Sequence, residues 1–328
     1  MNQQIAGLHH VTAIARDPQA NADFYTAVLG LRLVKRTVNF DDPGTYHLYY
    51  GDEIGRPGTI LTFFPWPQAR LGRSGAGQAT VTAFSVPEGS LGSWTERLSS
   101  LGVEHLAPRP RFDEEVLLLR DPDGLAIELV ARAGDERAPW SGGPVPESAA
   151  VRGFYNVTLT EWNPAVTSDL LTGTMGFRLL GEEGDRLRFG TGSEGAGSRL
   201  DVLVAPTAAR GVTSAGTVHH IAFRAATDAA QLAWQGTLAE RGLHVTPVQE
   251  RQYFRSIYFR EPGGVLFEIA TDAPGFTLDE PVESLGTALK LPPWLESSRE
   301  RIAEVLPPIV LAQPAMPAMP ATPAGGVA

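Results

Sequence analysis

The chain has 328 residues, 43% of them hydrophobic and 20% charged, with a formal net charge of -10 and no cysteine. Its length allows about two domains, each able to bury a core. The acidic balance argues against a phosphate-backbone binder, and the lack of thiols excludes disulfides, iron–sulfur clusters and cysteine-ligated zinc, leaving histidine and carboxylate as metal ligands.

The N-terminus, MNQQIAGLHH, lacks a basic stretch followed by an apolar one, and no apolar run is long enough to span a bilayer. A cytoplasmic protein with no membrane or nucleic-acid partner is expected. From Gly7, LHHVTAI alternates like a strand, NADFYTAVLG has helical spacing and stops on glycine, and YHLYYG and GTILTFF are strand-like. A second unit begins near Gln78 with ATVTAFSVPEG and closes on LLLRDPDGLAIELVA. A linker rich in Gly, Pro and charge, GDERAPWSGGPVPESAA, then separates an N-terminal half, 1–145, from a C-terminal half, 151–290.

The third unit repeats the first without a gap: Gly7, Val11, Thr12, Pro18, Gly30, Arg32 and Leu33 meet Gly153, Val157, Thr158, Pro164, Gly176, Arg178 and Leu179. The fourth, near Thr217, repeats the second, with Gly102, Pro122, Gly124 and Glu128 meeting Gly242, Pro262, Gly264 and Glu268. Within it, SIYF, the turn EPGG and VLFEIA form a hairpin. An extension over 291–306 follows. The Pro/Ala-rich segment 307–328 is expected to be a disordered tail whose removal after Pro308 leaves activity nearly unchanged.

Four βαβββ modules of this α+β type pair into two cup-shaped barrels, and the pairing decides which residues share a cavity. The first-strand position carries His10, Val81, Asn156 and His220. The last-strand position carries Glu128 and Glu268 in the second and fourth modules, and Phe63 and Val202 by approximate alignment in the others. Pairing neighbours in sequence gives no set of three good ligands. Pairing the first module with the fourth gives His10, His220 and Glu268, and leaves Val81, Asn156 and Glu128 in a cup without metal. Two imidazoles and one carboxylate form the facial triad of non-haem Fe(II) oxygen chemistry, with coordination positions left open. Phe63 at the fourth position cannot bind a metal. Glu268, within VLFEIA, would be costly to bury without a cation or hydrogen-bonding partners.

The strings GLHHVTAIA, GTVHHIAF, SIYFREPGGVLFEIATDAPGF and LGTALKLPPWLE resemble the glyoxalase/bleomycin-resistance/extradiol dioxygenase superfamily, most closely its hydroquinone-type ring-cleaving dioxygenases. The resemblance runs from Gly7 to about Leu306. It implies an Fe(II) enzyme that inserts both atoms of O2 into the ring of a small aromatic diol beside a phenolic hydroxyl; whether Mn(II) takes the place of Fe(II) is left open. It further implies that His10, His220 and Glu268 hold the metal, that His9 and His219 support it or move protons, and that Tyr258 and Arg251 face the substrate. Thr12 reads as a polar group of the pocket or simply a strand threonine. Self-association into a homo-oligomer is left open. Two rival readings on the same fold are a metal-dependent isomerase or lyase that needs no O2, and a metal-free small-molecule binding or resistance protein.

Overall fold

A computed structural model describes residues 5–192 and 195–311. The first module comprises β1 (Leu8–Ala15), α1 (Pro18–Asp23) running into a π-helical turn over Phe24–Val28, β2 (Arg32–Asn39), β3 (Asp42–Gly51) and β4 (Ile60–Pro65). The second comprises β5 (Gln78–Pro87), α2 (Leu91–Ser100), β6 (Arg109–Arg111), β7 (Glu114–Arg120) and β8 (Ala126–Arg132). The third has β9 (Gly153–Glu161), α3 (Ala165–Gly173), β10 (Arg178–Glu183), β11 (Arg186–Gly190) and β12 (Arg199–Val204). The fourth has β13 (Thr217–Ala225), α4 (Asp228–Glu240), β14 (Gln249–Glu250), β15 (Arg255–Arg260) and β16 (Leu266–Thr271).

Local chemistry starts these helices where expected. The Asp17 carboxylate accepts from the amides of Gln19 and Ala20, with Pro18 at the first helical position, and the Thr227 hydroxyl accepts from Ala230. Trp94 on α2 and its counterpart Trp234 on α4, each 1% exposed, anchor their helices to the sheets. No helix among the described residues is long and apolar enough to cross a membrane.

Two eight-stranded sheets result, with orders β14-β15-β16-β13-β1-β4-β3-β2 and β10-β11-β12-β9-β5-β8-β7-β6. Each sheet therefore takes one module from each half of the sequence. The first joins modules one and four, the second joins modules two and three, and each curls into a cup. This is the duplicated fold expected from the repeat.

The seams carry the detail that matters for the site. Along β1 and β13 the antiparallel register steps from Leu8↔Phe223 to His10↔Ala222, and from Thr12↔His220 to Ala13↔Val218. His9 and His219 are thus the extra residues of two β-bulges, and a bulge re-aims a side chain that strict alternation would send to the opposite face. The register also corrects an alignment. Ala222 pairs with Glu268 and Ala83 with Glu128, and the corresponding pairs in the other modules are Thr12↔Thr62 and Thr158↔Asp201. Thr62 and Asp201, not Phe63 and Val202, hold the last-strand position. Phe63 faces the other way and packs its ring 4.6 Å from Tyr25 in the core.

At the C-terminus, α5 (Arg299–Val305) leads into a short docked segment. Ile309 is 8% exposed, and the Gln19 side chain donates to the Val310 carbonyl at 2.9 Å and accepts from its amide at 2.8 Å. The stretch expected to be a tail is therefore packed as far as Leu311, and 312–328 lies outside the described residues. Truncation after Pro308 is expected to lower stability by about 1–2 kcal/mol in urea denaturation, because it removes a buried isoleucine.

A second prediction concerns Glu161, at the end of β9 and 1% exposed. Burial and the neighbouring Glu261 carboxylate push its pKa from 4.5 up to about 8. Glu261 is itself bound by the Thr167 hydroxyl at 2.7 Å and the Gly263 and Val265 amides at 2.8 Å. The folded chain holds the Glu161 proton to higher pH than the unfolded chain does, so stability declines as pH rises from about 4.5 through about 8. Glu161→Gln should remove that decline and leave the variant roughly 1–3 kcal/mol more stable than the parent above pH 8. Equal pH profiles for the two proteins would refute the assignment.

Candidate metal centre

His10 on β1, His220 on β13 and Glu268 on β16 meet on three adjoining strands and are each at most 5% exposed. The two Nε2 atoms lie 3.4 Å apart, and Glu268 Oε2 is 3.2 Å from the first and 2.9 Å from the second. Donors about 2.0–2.2 Å from one ion and at right angles to each other would be separated by roughly 3 Å, so these three atoms outline one face of an octahedron.

The electrostatics fit the same group. Glu268 Oε1 accepts from the Ser256 hydroxyl, whereas Oε2 has no directed hydrogen bond despite complete burial. Burial opposes the charge on Glu268, but the imidazoles of His10 and His220 outweigh it and hold the carboxyl well below its ordinary range. Burial also lowers the pKa of His220, favouring the neutral imidazole that metal binding requires. A buried charged oxygen aimed with two ring nitrogens at one point suits a divalent cation. The fourth position belongs to Thr62, whose hydroxyl is already engaged by His47 Nε2 at 2.7 Å and Thr12 Oγ1 at 3.1 Å.

The bulged histidines settle the tautomers once Nε2 of each ligand is given to a metal. His10 then carries its proton on Nδ1, 2.9 Å from Nδ1 of His9, which must accept and places its own proton on Nε2, 3.1 Å from the Thr271 carbonyl. His220 Nδ1 likewise lies 2.7 Å from His219 Nδ1. The remaining proton of His219 is on Nε2, in a ring that lines the open side of the site. Burial takes the pKa of both His9 and His219 down to about 3, so both are neutral.

That open side is a cavity of about 470 Å³, within the range of small-molecule sites. Phe40, Phe64, Trp66 and Phe254 give it flat apolar walls, and His47, Tyr49, Arg251 and Tyr258 give it polar ones. Arg251 is held by Asp41 at 3.0 Å and Gln249 at 2.5 Å, and its Nε donates to the Tyr258 hydroxyl at 3.3 Å. Burial and the charge of Glu268 raise the Tyr258 pKa, so it stays a phenol able to donate.

Of the residues singled out in the sequence, His10, His220, Glu268, His219, Tyr258 and Arg251 are brought together here. His9 is not on the cavity wall and instead backs His10. Thr12 is also absent from the wall: it is wholly buried and reaches the cavity only through Thr62 and His47. Sequence reasoning missed His47, Tyr49, Thr62 and Ser256. The alternation in YHLYY offered a signal for the first two, since His47 and Tyr49 share a face and the Tyr49 hydroxyl lies 2.8 Å from His47 Nδ1.

A model of the Glyoxalase/Bleomycin resistance protein/Dioxygenase superfamily matches residues 7–129 and 158–269. The chain is 48% identical over 308 residues to a Bacillus subtilis (strain 168) protein named "Putative ring-cleaving dioxygenase MhqO", covering 94% of this chain and 98% of that one. It is 35% identical over 319 residues to the chlorohydroquinone/hydroquinone 1,2-dioxygenase of Sphingobium indicum, covering 94% and 98%. The crystal structure of a "putative dioxygenase" from Bacillus subtilis subsp. subtilis str. 168 superposes with a TM-score of 0.91 at 47% identity, covering 95% of this chain and 99% of that one. Glyoxalase I from Zea mays shares the fold alone, with a TM-score of 0.60 at 15% identity over 81% of this chain and 92% of that one.

Proposed function

We propose that this chain, which belongs to the Glyoxalase/Bleomycin resistance protein/Dioxygenase superfamily, is a cytoplasmic enzyme that opens the ring of a hydroquinone-type diol with O2 at an Fe(II) held by His10, His220 and Glu268. The observation that carries this reading is the triangle of three buried donor atoms, with Glu268 Oε2 lacking any directed hydrogen bond, opening on a cavity with aromatic walls. The relative named for hydroquinone cleavage supports the substrate class. A bound ferrous ion would supply the route by which electrons pass from the diol to O2.

The protein's own part is to hold and protonate. Phe64 and Phe254 offer flat walls against which a substrate ring would lie, Arg251 steadies the Tyr258 phenol, and Tyr258 and His219 stand on the same wall as groups that would donate to the substrate or O2. Thr62 at the fourth position leaves the coordination sphere open, which counts against an isomerase with four protein ligands. Mn(II) prefers the same geometry and would fill the same donors.

Oxygen uptake by anaerobically Fe(II)-loaded protein tests the reading. One O2 should be consumed per hydroquinone, catechol should react more slowly, and metal analysis should find one tightly bound equivalent per chain. Turnover that proceeds without O2, or a second equivalent of tight metal, would overturn it.

A further inference from the structure

We propose that the second cup, built by modules two and three, binds a small monoanion, with a monocarboxylate the best fit. The site is separate from the metal cup and does not depend on its chemistry.

The second cup keeps the plan of the first with different side chains. Through the strand registers, Asn156 stands in the place of His10, Val81 in that of His220, Glu128 in that of Glu268 and Asp201 in that of Thr62. Arg111 corresponds to Arg251. Each lies seventeen residues before its glutamate and is followed by a residue of positive φ, Phe112 at 52° and Gln252 at 65°.

With the histidines gone, guanidinium groups carry the positive charge. Asp201 accepts from Arg188 at 2.8 and 3.0 Å and from Arg186 at 3.1 Å. Glu114 accepts from Arg188 at 2.7 Å and from Arg199 at 2.8 Å, and Glu128 lies 2.6 Å from Arg111 Nη1. None of these side chains is more than 12% exposed. Within these pairs, four guanidiniums, two of them buried and two half-buried, face three buried carboxylates. An uncompensated charge at that depth is costly, whereas the charges at the rim are solvated and screened.

Arg111 and Asn156 are the groups that would meet the anion, in a cup where Glu114 Oε2 and Glu128 Oε2 also lack a directed hydrogen bond. None of the Arg111 guanidinium nitrogens makes a directed hydrogen bond, even with Glu128 nearby. The amide of Asn156, wholly buried, has neither its nitrogen nor its oxygen partnered. Asn156 shares a strand face with Thr158, whose hydroxyl accepts from Arg186 at 2.9 Å. A groove of about 290 Å³ opens over Arg109, Arg111 and Arg186, with Glu183 and Asp185 also on its lining. The planar fork of a guanidinium matches the two oxygens of a carboxylate, and the acidic residues disfavour a dianion.

Calorimetric titration of the metal-loaded full chain with acetate, with inorganic phosphate in parallel at fixed ionic strength, tests the proposal. Acetate should fill one saturable site per chain and phosphate should bind more weakly. Asn156→Asp places a carboxylate of the same shape in the cup, so it should weaken acetate binding by at least about tenfold and raise the Tm measured without acetate. Should that variant fail to fold, Arg109→Ala, at an exposed side chain, should weaken acetate binding several-fold. No saturable heat with the parent, unchanged affinity in these variants, or binding that disappears when the metal is chelated would each overturn the proposal.

Discussion

Replacing His10, His220 or Glu268 by alanine is expected to abolish tight metal binding and to lower turnover by at least about 10³-fold, the two losses moving together. Each residue supplies one vertex of a single triangle of donors, and the only such cluster found among the described residues is this one. Thr62 has a neutral hydroxyl already engaged by His47 and Thr12, and the Ser256 hydroxyl points at Glu268 rather than at the imidazoles. Glu268→Gln separates charge from shape, because the amide oxygen can still accept from Ser256 while the negative charge is gone. Metal content by elemental analysis, turnover by oxygen uptake and folding by circular dichroism should be read on the same samples. A folded variant of any of the three that keeps one equivalent of metal and works within tenfold of the parent would exclude that residue as a ligand.

Much of the fold was legible because it is written twice. The gapless repeat of the Gly7 segment at Gly153 set the module count, and the search for three good ligands selected the first-with-fourth pairing that the sheets display. What the sequence could not carry was register. Placing Phe63 at the ligand position was a slip of one residue, and in a strand one residue exchanges the core face for the cavity face. His47 and Ser256 were missed for the same reason: each earns its place from what stands across the sheet, and cross-strand partners are not adjacent in sequence. The arginines of the second cup lie on β6, β11 and β12, far apart in the chain, so their convergence on Asp201, Glu114 and Glu128 appears only after folding.

The two HH pairs also resisted sequence reasoning, since ideal alternation sends neighbours to opposite faces. The bulges at His9 and His219 remove that objection and make the pairs unequal. Both outer histidines accept a hydrogen bond from a ligand imidazole, so losing either should weaken metal binding by roughly 10- to 100-fold. Of the two, His219 is the one whose ring lines the cavity, whereas the remaining N–H of His9 is directed at the Thr271 carbonyl. At saturating Fe(II), His9→Ala should therefore stay within about tenfold of the parent rate, because its role ends at the ligand it orients. His219→Ala should fall about 10²- to 10⁴-fold under the same conditions, the range for removal of a group that transfers a proton to or from the reacting oxygen. His219→Gln, which keeps both an acceptor and a donor, should recover metal affinity more fully than rate. Equal rates for the two alanine variants at saturating metal would mean that His219 only orients His220. If His219→Ala empties the site while His220→Ala keeps its metal, the wrong member of the pair has been assigned to the ion.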